Sequence, residues 1–313
     1  MQGPTFNYKD LLESVPCNIC GSTECDIVYP ARYERGPKTR EALVESFKSS
    51  GKDILVDPLV RCKSCKLEYL TPRLRQDVII DAYSAGSDED FVSQVSAREK
   101  TFARSLAVLE KHLPTKGKIL DIGSAGGSFL KAAKDRGWTV FGCEPNRWLT
   151  EWCRQNYKID LFAGTLFDMR NADATYDCVA LWDVLEHVPD PVAVLQECRR
   201  ILKPNGILVV NYPNIGSLVA RGMGRRWVFL LTVHLYYFTP ETIRAILAKT
   251  GFEMIDHRIH FQWLEFDYIL YRMEAYIRVI PRLMRKLAKA LGCSKLQIPY
   301  TVGQSLALGR KTA

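Results

Sequence analysis

The stretch Lys118–Leu130, Lys-Ile-Leu-Asp-Ile-Gly-Ser-Ala-Gly-Gly-Ser-Phe-Leu, constrains the fold of this chain more than any other. Its apolar run, Ile119, Leu120 and Ile122, reads as a buried strand that breaks into a turn carrying Gly123, Gly126 and Gly127. Ser128 is placed to cap the helix that follows, whose apolar face is Phe129, Leu130, Ala132 and Ala133. A turn of this kind lets a ligand approach the backbone where a Cβ would block it. About twenty residues later a second strand, Thr139–Cys143, ends in Glu144, where an acidic side chain can take both hydroxyls of a ribose. Strand, glycine turn, helix and acidic strand end together predict an α/β fold, a doubly wound sheet with a nucleoside-bearing cofactor at its edge. The turn lacks a full Gly-x-Gly-x-x-Gly and the strand carries Asp121, which argues against a dinucleotide and for S-adenosylmethionine.

Further pieces follow in order: Gly-Cys-Glu-Pro at 142–145, Tyr-Asp-Cys-Val-Ala-Leu-Trp-Asp-Val-Leu-Glu-His-Val-Pro-Asp-Pro at 176–191, and Leu202-Lys203-Pro204-Asn205-Gly206. With the glycine turn they make residues 118–211 resemble the class I S-adenosylmethionine-dependent methyltransferases. One departure is Ala125, which stands where that family has its central loop glycine. The resemblance implies a seven-stranded Rossmann-like sheet, with Asp121, Gly123, Ala125, Gly127 and Glu144 against the cofactor. It also implies Leu166 and Phe167 beside the adenine, Asp168 near its amino group, and Trp182 and Asp183 at the amino-acid end. S-adenosylhomocysteine would be the product. For an oxygen acceptor a neutral His is the usual base. His234 lies in Val-His-Leu-Tyr-Tyr-Phe-Thr-Pro, where the family often has a His before an aromatic pair, and His187 lies just beyond the fourth strand; the alternative for each is a His that holds a loop through backbone bonds. Tyr236 and Tyr237 are placed to bind or orient the acceptor. His112, His257 and His260 read as structural or solvated.

Ten cysteines in a large chain with no apolar signal core at its start point to free thiols and a metal site, not to a disulfide scaffold. Cys17-x-x-Cys20 and Cys62-Lys-Ser-Cys65 are two knuckles whose four thiolates complete a tetrahedral zinc site. With no open position the zinc would be structural. Cys25 is an alternative ligand without a partner at that spacing, and a redox pair or core thiols are the competing readings. An inserted loop or helix, Lys38–Ser50, fills the gap between the knuckles. Leu67-Glu68-Tyr69-Leu70-Thr71-Pro72-Arg73 then resembles the junction in bacterial methyltransferases that carry an N-terminal zinc module.

The domain plan that results is a zinc-ribbon-like module over 1–74, a helical linker and cap over 75–116, the cofactor-binding core over 117–262, and C-terminal helices with the last strand over 263–313. Helices are expected over Gln76–Ser84 and Phe91–Leu113, separated by a polar break over Ser84–Asp90, and after Asp190-Pro191 and Thr239-Pro240. Further strands are expected at Asp160–Ala163, Asp177–Leu181, Gly206–Asn211, Phe252–His257 and, antiparallel, Val302–Gly309. Arg225, Arg226 and Trp227, in an insertion over Asn214–Tyr237, could meet a phosphate or sugar. Phe261–Leu291 should split at Pro281 into two helical pieces. The second, Arg282–Leu291, alternates apolar and basic residues and could lie on an anionic membrane, but an amphipathic helix covering the sheet or a homodimer contact is the favoured reading.

These features predict a cytoplasmic O-methyltransferase acting on a sugar, a nucleotide-linked sugar or another small hydroxylated metabolite. The formal charge of +8 allows an RNA substrate bound through the zinc module. Against nucleic acid, there is no dense basic–aromatic stripe and no Asn/Asp-Pro-Pro-Tyr/Phe motif. A zinc-ribbon adaptor with an inactive core is a third reading, opposed by the retained Gly123, Gly127 and Glu144.

Overall fold

The computed structural model describes residues 6–47, 54–84, 92, 94–274 and 279–312. The polar break after Ser84, the expected helix start at Phe91 and the end of the inserted segment at 48–50 lie outside them. The chain begins with short strands β1 (Leu12–Glu13), β2 (Cys25–Tyr29), β3 (Leu59–Cys62), β4 (Glu68–Leu70) and β5 (Arg73–Leu74). The inserted segment contains helix α1 (Arg40–Ser46), and α2 (Gln76–Ser84) follows β5. Helix α3 (Val95–His112) then leads into the large sheet.

That sheet alternates strand and helix as the apolar pattern requires: β6 (Lys118–Ile122), α4 (Ser128–Asp135), β7 (Thr139–Cys143), α5 (Arg147–Tyr157), β8 (Tyr176–Trp182), α6 (Pro191–Ile201) and β9 (Leu202–Pro213). After the insertion, which holds α7 (Leu218–Met223) and the two-residue β10 (Tyr236–Tyr237), come α8 (Pro240–Lys249) and β11 (Phe252–Ile259). Then follow β12 (Gln262–Glu265), α9 (Phe266–Met273), α10 (Val279–Ala290), β13 (Gln297–Tyr300) and β14 (Gln304–Lys311). The six-stranded order is β11-β14-β9-β8-β6-β7. β7, β6, β8 and β9 run parallel, and β14 lies antiparallel between β9 and β11. This is the predicted mixed α/β, Rossmann-like sheet.

Period-two alternation builds two cores. On one face Leu120, Ile122, Val179, Leu181, Leu208 and Val210 pack with α6 and α8 in a cluster that runs on into the module through Cys17, Cys62 and Tyr69. On the other face Ile119, Cys178, Ala180, Ile207 and Val209 pack against Leu106 and Leu109 of α3 and Phe129 of α4. The module is therefore not a separate unit. β10, from the insertion, pairs with β4 and completes a sheet ordered β10-β4-β3-β2. Arg73, almost wholly buried, donates to the Tyr236 hydroxyl and to the Pro189 carbonyl, both at 2.9 Å. Asn18, inside the first knuckle, bonds Asp190 and the Val192 amide at the start of α6.

Four local expectations need correction. The cap of α4 is Gly127, in the left-handed region at φ 77°, and Ser128 is the first helical residue. The turn needs that positive φ, which glycine adopts without strain. No strand forms over Asp160–Ala163. Phe162 makes a single bridge to Cys143, although Phe162 N–H donates to Gly142 O and Glu144 N–H to Phe162 O. Pro281 does not split a helix but sits in the first turn of α10, where its missing N–H costs nothing. The piece N-terminal to it opens with β12, and α9 begins only at Phe266. Trp227 is buried in a small core with Leu59, Leu70 and Tyr237, its Nε1–H on Val302 O at 2.7 Å, and the Arg225 guanidinium lies over the Tyr29 ring. Trp227 thus packs the insertion onto the module and offers no open face for a sugar.

Helix α10 turns Pro281, Arg285 and Ala288 inward, with Arg285 bonded to Asp267 and Glu274 of the preceding segment. Its Val279, Ile280, Leu283, Leu287 and Leu291 side face outward. Among the described residues no helix is long and apolar enough to cross a membrane.

Candidate functional site

Each knuckle is a tight turn closed by its own backbone. Gly21 N–H donates to Cys17 O at 2.8 Å and Lys66 N–H to Cys62 O at 3.1 Å. Gly21 (φ 74°) and Lys66 (φ 64°), four residues after the first cysteine of each pair, take the left-handed conformation that turns the chain back. The Sγ atoms of Cys17 and Cys65 are 3.3 Å apart and those of Cys20 and Cys62 3.5 Å, and all four lie within 4.8 Å of one another. Four thiolates at about 2.3 Å from a tetrahedral zinc would stand about 3.8 Å apart, so the set fits that ion with a small expansion. Cys25 is outside the cluster, opposite Cys62 in the β2–β3 ladder. Burial and the neighbouring Cys65 thiol push the Cys17 thiol up, a cost that a shared cation offsets.

The glycine turn is held by an acidic clamp. Glu144, fully buried, accepts from the Asn146 amide through Oε1 and from the Ala125 amide through Oε2, both at 2.8 Å. Tyr83, at the end of α2, also bonds Glu144, and the Asn146 side chain donates to Tyr83 O. Hydrogen bonds to a charged acceptor are worth about 1.5–3 kcal/mol each. They fix Ala125 at φ 45°, a position where the methyl group is tolerated at a small cost. Burial pushes the Glu144 carboxyl up to about 7 against the opposing pull of these donors. Asp121 is buried beside it, held well above the usual carboxylate range by burial and by the Glu144 charge, and its Oδ1 has no partner.

Gly123 (φ 66°) lies against Val184, where a Cβ would meet Cγ2 at 2.8 Å. At Gly127 a Cβ would drive into the Cys153 sulfur of α5, so a side chain there disturbs helix packing and does not enter a methionine pocket. Leu166 is buried and Phe167 exposed, while Asp168 accepts from the Thr165 amide and hydroxyl. Trp182 packs on Phe102 and Phe129, both with ring centroids at 5.1 Å. The Asp183 carboxylate accepts from Asn211 Nδ2 at 2.7 Å and Gln304 Nε2 at 2.9 Å. These side chains line the carboxyl ends of β6, β7 and β8, the crevice where ligands bind in sheets of this type.

Beyond β8 the loop carrying His187 meets the loop carrying His234. Their imidazoles stand edge to face, centroids 4.6 Å apart. His187 Nδ1 is 2.9 Å from Val233 O and His234 Nδ1 2.9 Å from Phe229 O. Burial holds His187 down at about 4, and burial and then His187 hold His234 well below the usual imidazole range, so both are neutral near pH 7. The Tyr237 hydroxyl is committed to both backbone groups of Leu231, at 2.7 and 3.0 Å, and Tyr236 to Arg73 and Pro189. Both tyrosines therefore fasten the loop. Sequence reasoning passed over Tyr83, Asn146 and Glu186. Glu186 alone had a visible signal, an acidic residue at an otherwise apolar position in Val-Leu-Glu-His-Val.

Residues 95–257 match the model of a family described as a methyltransferase domain. The ubiquinone biosynthesis O-methyltransferase of Cereibacter sphaeroides is 26% identical over 214 residues, 64% of this chain and 76% of that protein. The enzyme of the same name from Histophilus somni is 35% identical over 104 residues, covering 30% and 44%. A chain from the complex between the Haloferax volcanii Trm112 methyltransferase activator and a methyltransferase superposes with a TM-score of 0.51 at 15% identity, covering 75% of this chain and 98% of that one. That likeness bears on the fold alone.

Two outcomes follow from this geometry. An ionised Glu144 accepts ribose hydroxyls better than a neutral one, so S-adenosylhomocysteine affinity by calorimetry should rise as pH rises through about 7. Glu144→Gln should flatten that dependence and weaken binding roughly tenfold to a hundredfold, one charge-assisted hydrogen bond. Elemental analysis should find zinc held by thiolates, and Cys17→Ser or Cys65→Ser should lose it together with a large part of the melting temperature, since structural zinc contributes about 10–16 kcal/mol in small modules. A thiolate set that is metal-free yet equally stable would reject the zinc centre.

Proposed function

This chain belongs to the S-adenosylmethionine-dependent methyltransferase family, and from that premise we propose that it methylates an oxygen of a small hydroxylated acceptor, a sugar, a nucleotide-linked sugar or a similar metabolite. The observation that carries the reading is the Glu186–His187–His234 cluster, built from the loop after β8 and the loop before β10. The relatives named as O-methyltransferases support an oxygen nucleophile.

The cofactor supplies an activated sulfonium methyl, so the protein mainly positions the acceptor. In the proposed arrangement Asp121, Gly123, Ala125, Gly127 and Glu144 cradle the methionine and ribose portions. Leu166, Phe167 and Asp168 border the adenine. Trp182 and Asp183 close the amino-acid end. The acceptor oxygen attacks the methyl carbon as the carbon–sulfur bond breaks, the electron pair stays on sulfur, and the hydroxyl proton leaves at the cluster. The zinc module acts at a distance, because β4 holds β10 and β10 follows His234 by two residues.

Helix α10 belongs to the same proposal as the contact with an anionic membrane surface. Its outward apolar row is flanked by Arg282, Lys286 and Lys289, which complement acidic lipid headgroups. The full chain should sediment with phosphatidylglycerol-containing vesicles and not with pure phosphatidylcholine. Leu283→Asp with Leu287→Asp should abolish the association. A dimer in lipid-free buffer that the same substitutions dissociate would assign the row to a second copy instead.

For the chemistry, His234→Ala should cut turnover by about 10²–10⁴ while S-adenosylhomocysteine affinity stays within a factor of a few. Steady-state rates with hydroxylated acceptors, read beside calorimetry, decide it. Full turnover in both His234→Ala and His187→Ala contradicts the assignment.

A further inference from the structure

We propose that the cavity between α3 and the turn from β11 into β12 binds a small amphipathic anion, an acyl or aryl body that carries one carboxylate or phosphate. The cavity holds about 370 Å³, within the range of small-ligand sites. Its walls are mostly apolar: Val108 of α3, Phe261 and Trp263 at the turn, Pro299 of β13 and Leu306 of β14. Neither Glu144 nor the Glu186–His187–His234 cluster contributes to its lining.

Charge selects the ligand's head. Lys100 and Arg104, one helical turn apart on α3, both stand over the Trp263 ring, with Nζ and Cζ at 3.7 and 4.5 Å from its centroid. Neither has an acidic partner among the described residues, whereas Arg258, also in the lining, is met by Asp256. Like charges four residues apart on a helix repel each other, and an anion drawn to the pair offsets that repulsion. The apolar body has its counterpart in Ile259 and Phe261, which stand exposed beside the cavity. Covering them removes apolar surface from water.

His260 is the independent sign. It is almost wholly buried, it lines the cavity, and its ring has no hydrogen-bond partner among the described residues. Burial holds the imidazole down at about 4, so near pH 7 it is neutral and keeps one N–H to give to an oxygen of a bound carboxylate or phosphate. Its ring also packs on Trp182, centroids 5.7 Å apart. The walls are fixed by backbone bonds. Trp263 N–H donates to Thr101 Oγ1 of α3 at 2.8 Å, and His260 N–H to Gln304 O of β14 at 2.9 Å. A cavity held in this way needs little ordering when a ligand enters.

Calorimetry on the full chain tests the site, with monomeric octyl phosphate and octanoate as probes beside octanol and inorganic phosphate. At least one of the two amphipathic anions should bind, one per chain, and octanol and inorganic phosphate should each bind weaker by about tenfold or more. The tighter of the two probes identifies the head group. Arg104→Glu and, separately, Phe261→Asp should each weaken that binding by about tenfold or more, with S-adenosylhomocysteine affinity unchanged. Both side chains are exposed, so the fold should tolerate either change, and the melting temperature checks that it does. A wild type that binds neither probe overturns the site, as does one that binds octanol or inorganic phosphate equally well, or a pair of folded variants that bind like the wild type. Binding that survives both variants and is lost in Leu283→Asp with Leu287→Asp moves the anion to α10 and overturns it too.

Discussion

The four-cysteine cluster is the constraint on which the loops carrying His187 and His234 depend. Cys17 and Cys20 lie in one knuckle, while Cys62 ends β3 and Cys65 precedes β4, so an ion among them fixes the start of β4. β4 pairs with Tyr236–Tyr237, and the buried Arg73 ties Tyr236 to Pro189 on the loop after β8. A zinc ion bound there would add to the hold that the large domain already gives the module through its shared core. In return the module holds the two histidine-bearing loops in register. A change at the four cysteines would therefore be felt at His234.

On the cofactor side the organising contact is Glu144. Its two carboxylate oxygens fasten both the glycine turn and the start of α5, so strand end, turn and helix move as one. Asp121 lies beneath with an unpartnered oxygen. Two buried acids side by side are unfavourable, and a group that donates hydrogen bonds to them would offset that cost.

Much of the large sheet was legible because its signals are local. The apolar runs of β6, β8, β9 and β14, the Asp190-Pro191 and Thr239-Pro240 starts, and the two cysteine knuckles each declare themselves within a few residues. What stayed hidden depends on distant partners. The segment at Asp160–Ala163 looks like a strand, but at the sheet edge, with Phe162 exposed, it retains a single bridge. Trp227 reads as an exposed sugar platform until Leu59, Leu70 and Val302 surround it. The hydroxyl of Tyr237 looked available for an acceptor until the fold placed Leu231 against it. Tyr83 carries no motif and meets Glu144 only through tertiary packing, while Asn146 meets it locally, two residues along the chain.

In the proposed arrangement the cofactor lies along the carboxyl ends of β6, β7 and β8, between the glycine turn and the Glu186–His187–His234 cluster. Amide hydrogen exchange of the full chain with and without saturating S-adenosylhomocysteine tests it directly. Added protection is expected over residues 123–128, at 144–146, at 165–168 and at 182–187, with the four-cysteine knuckles unchanged. Saturation that leaves 123–128 and 144–146 unprotected, or that protects a different part of the molecule, would contradict it.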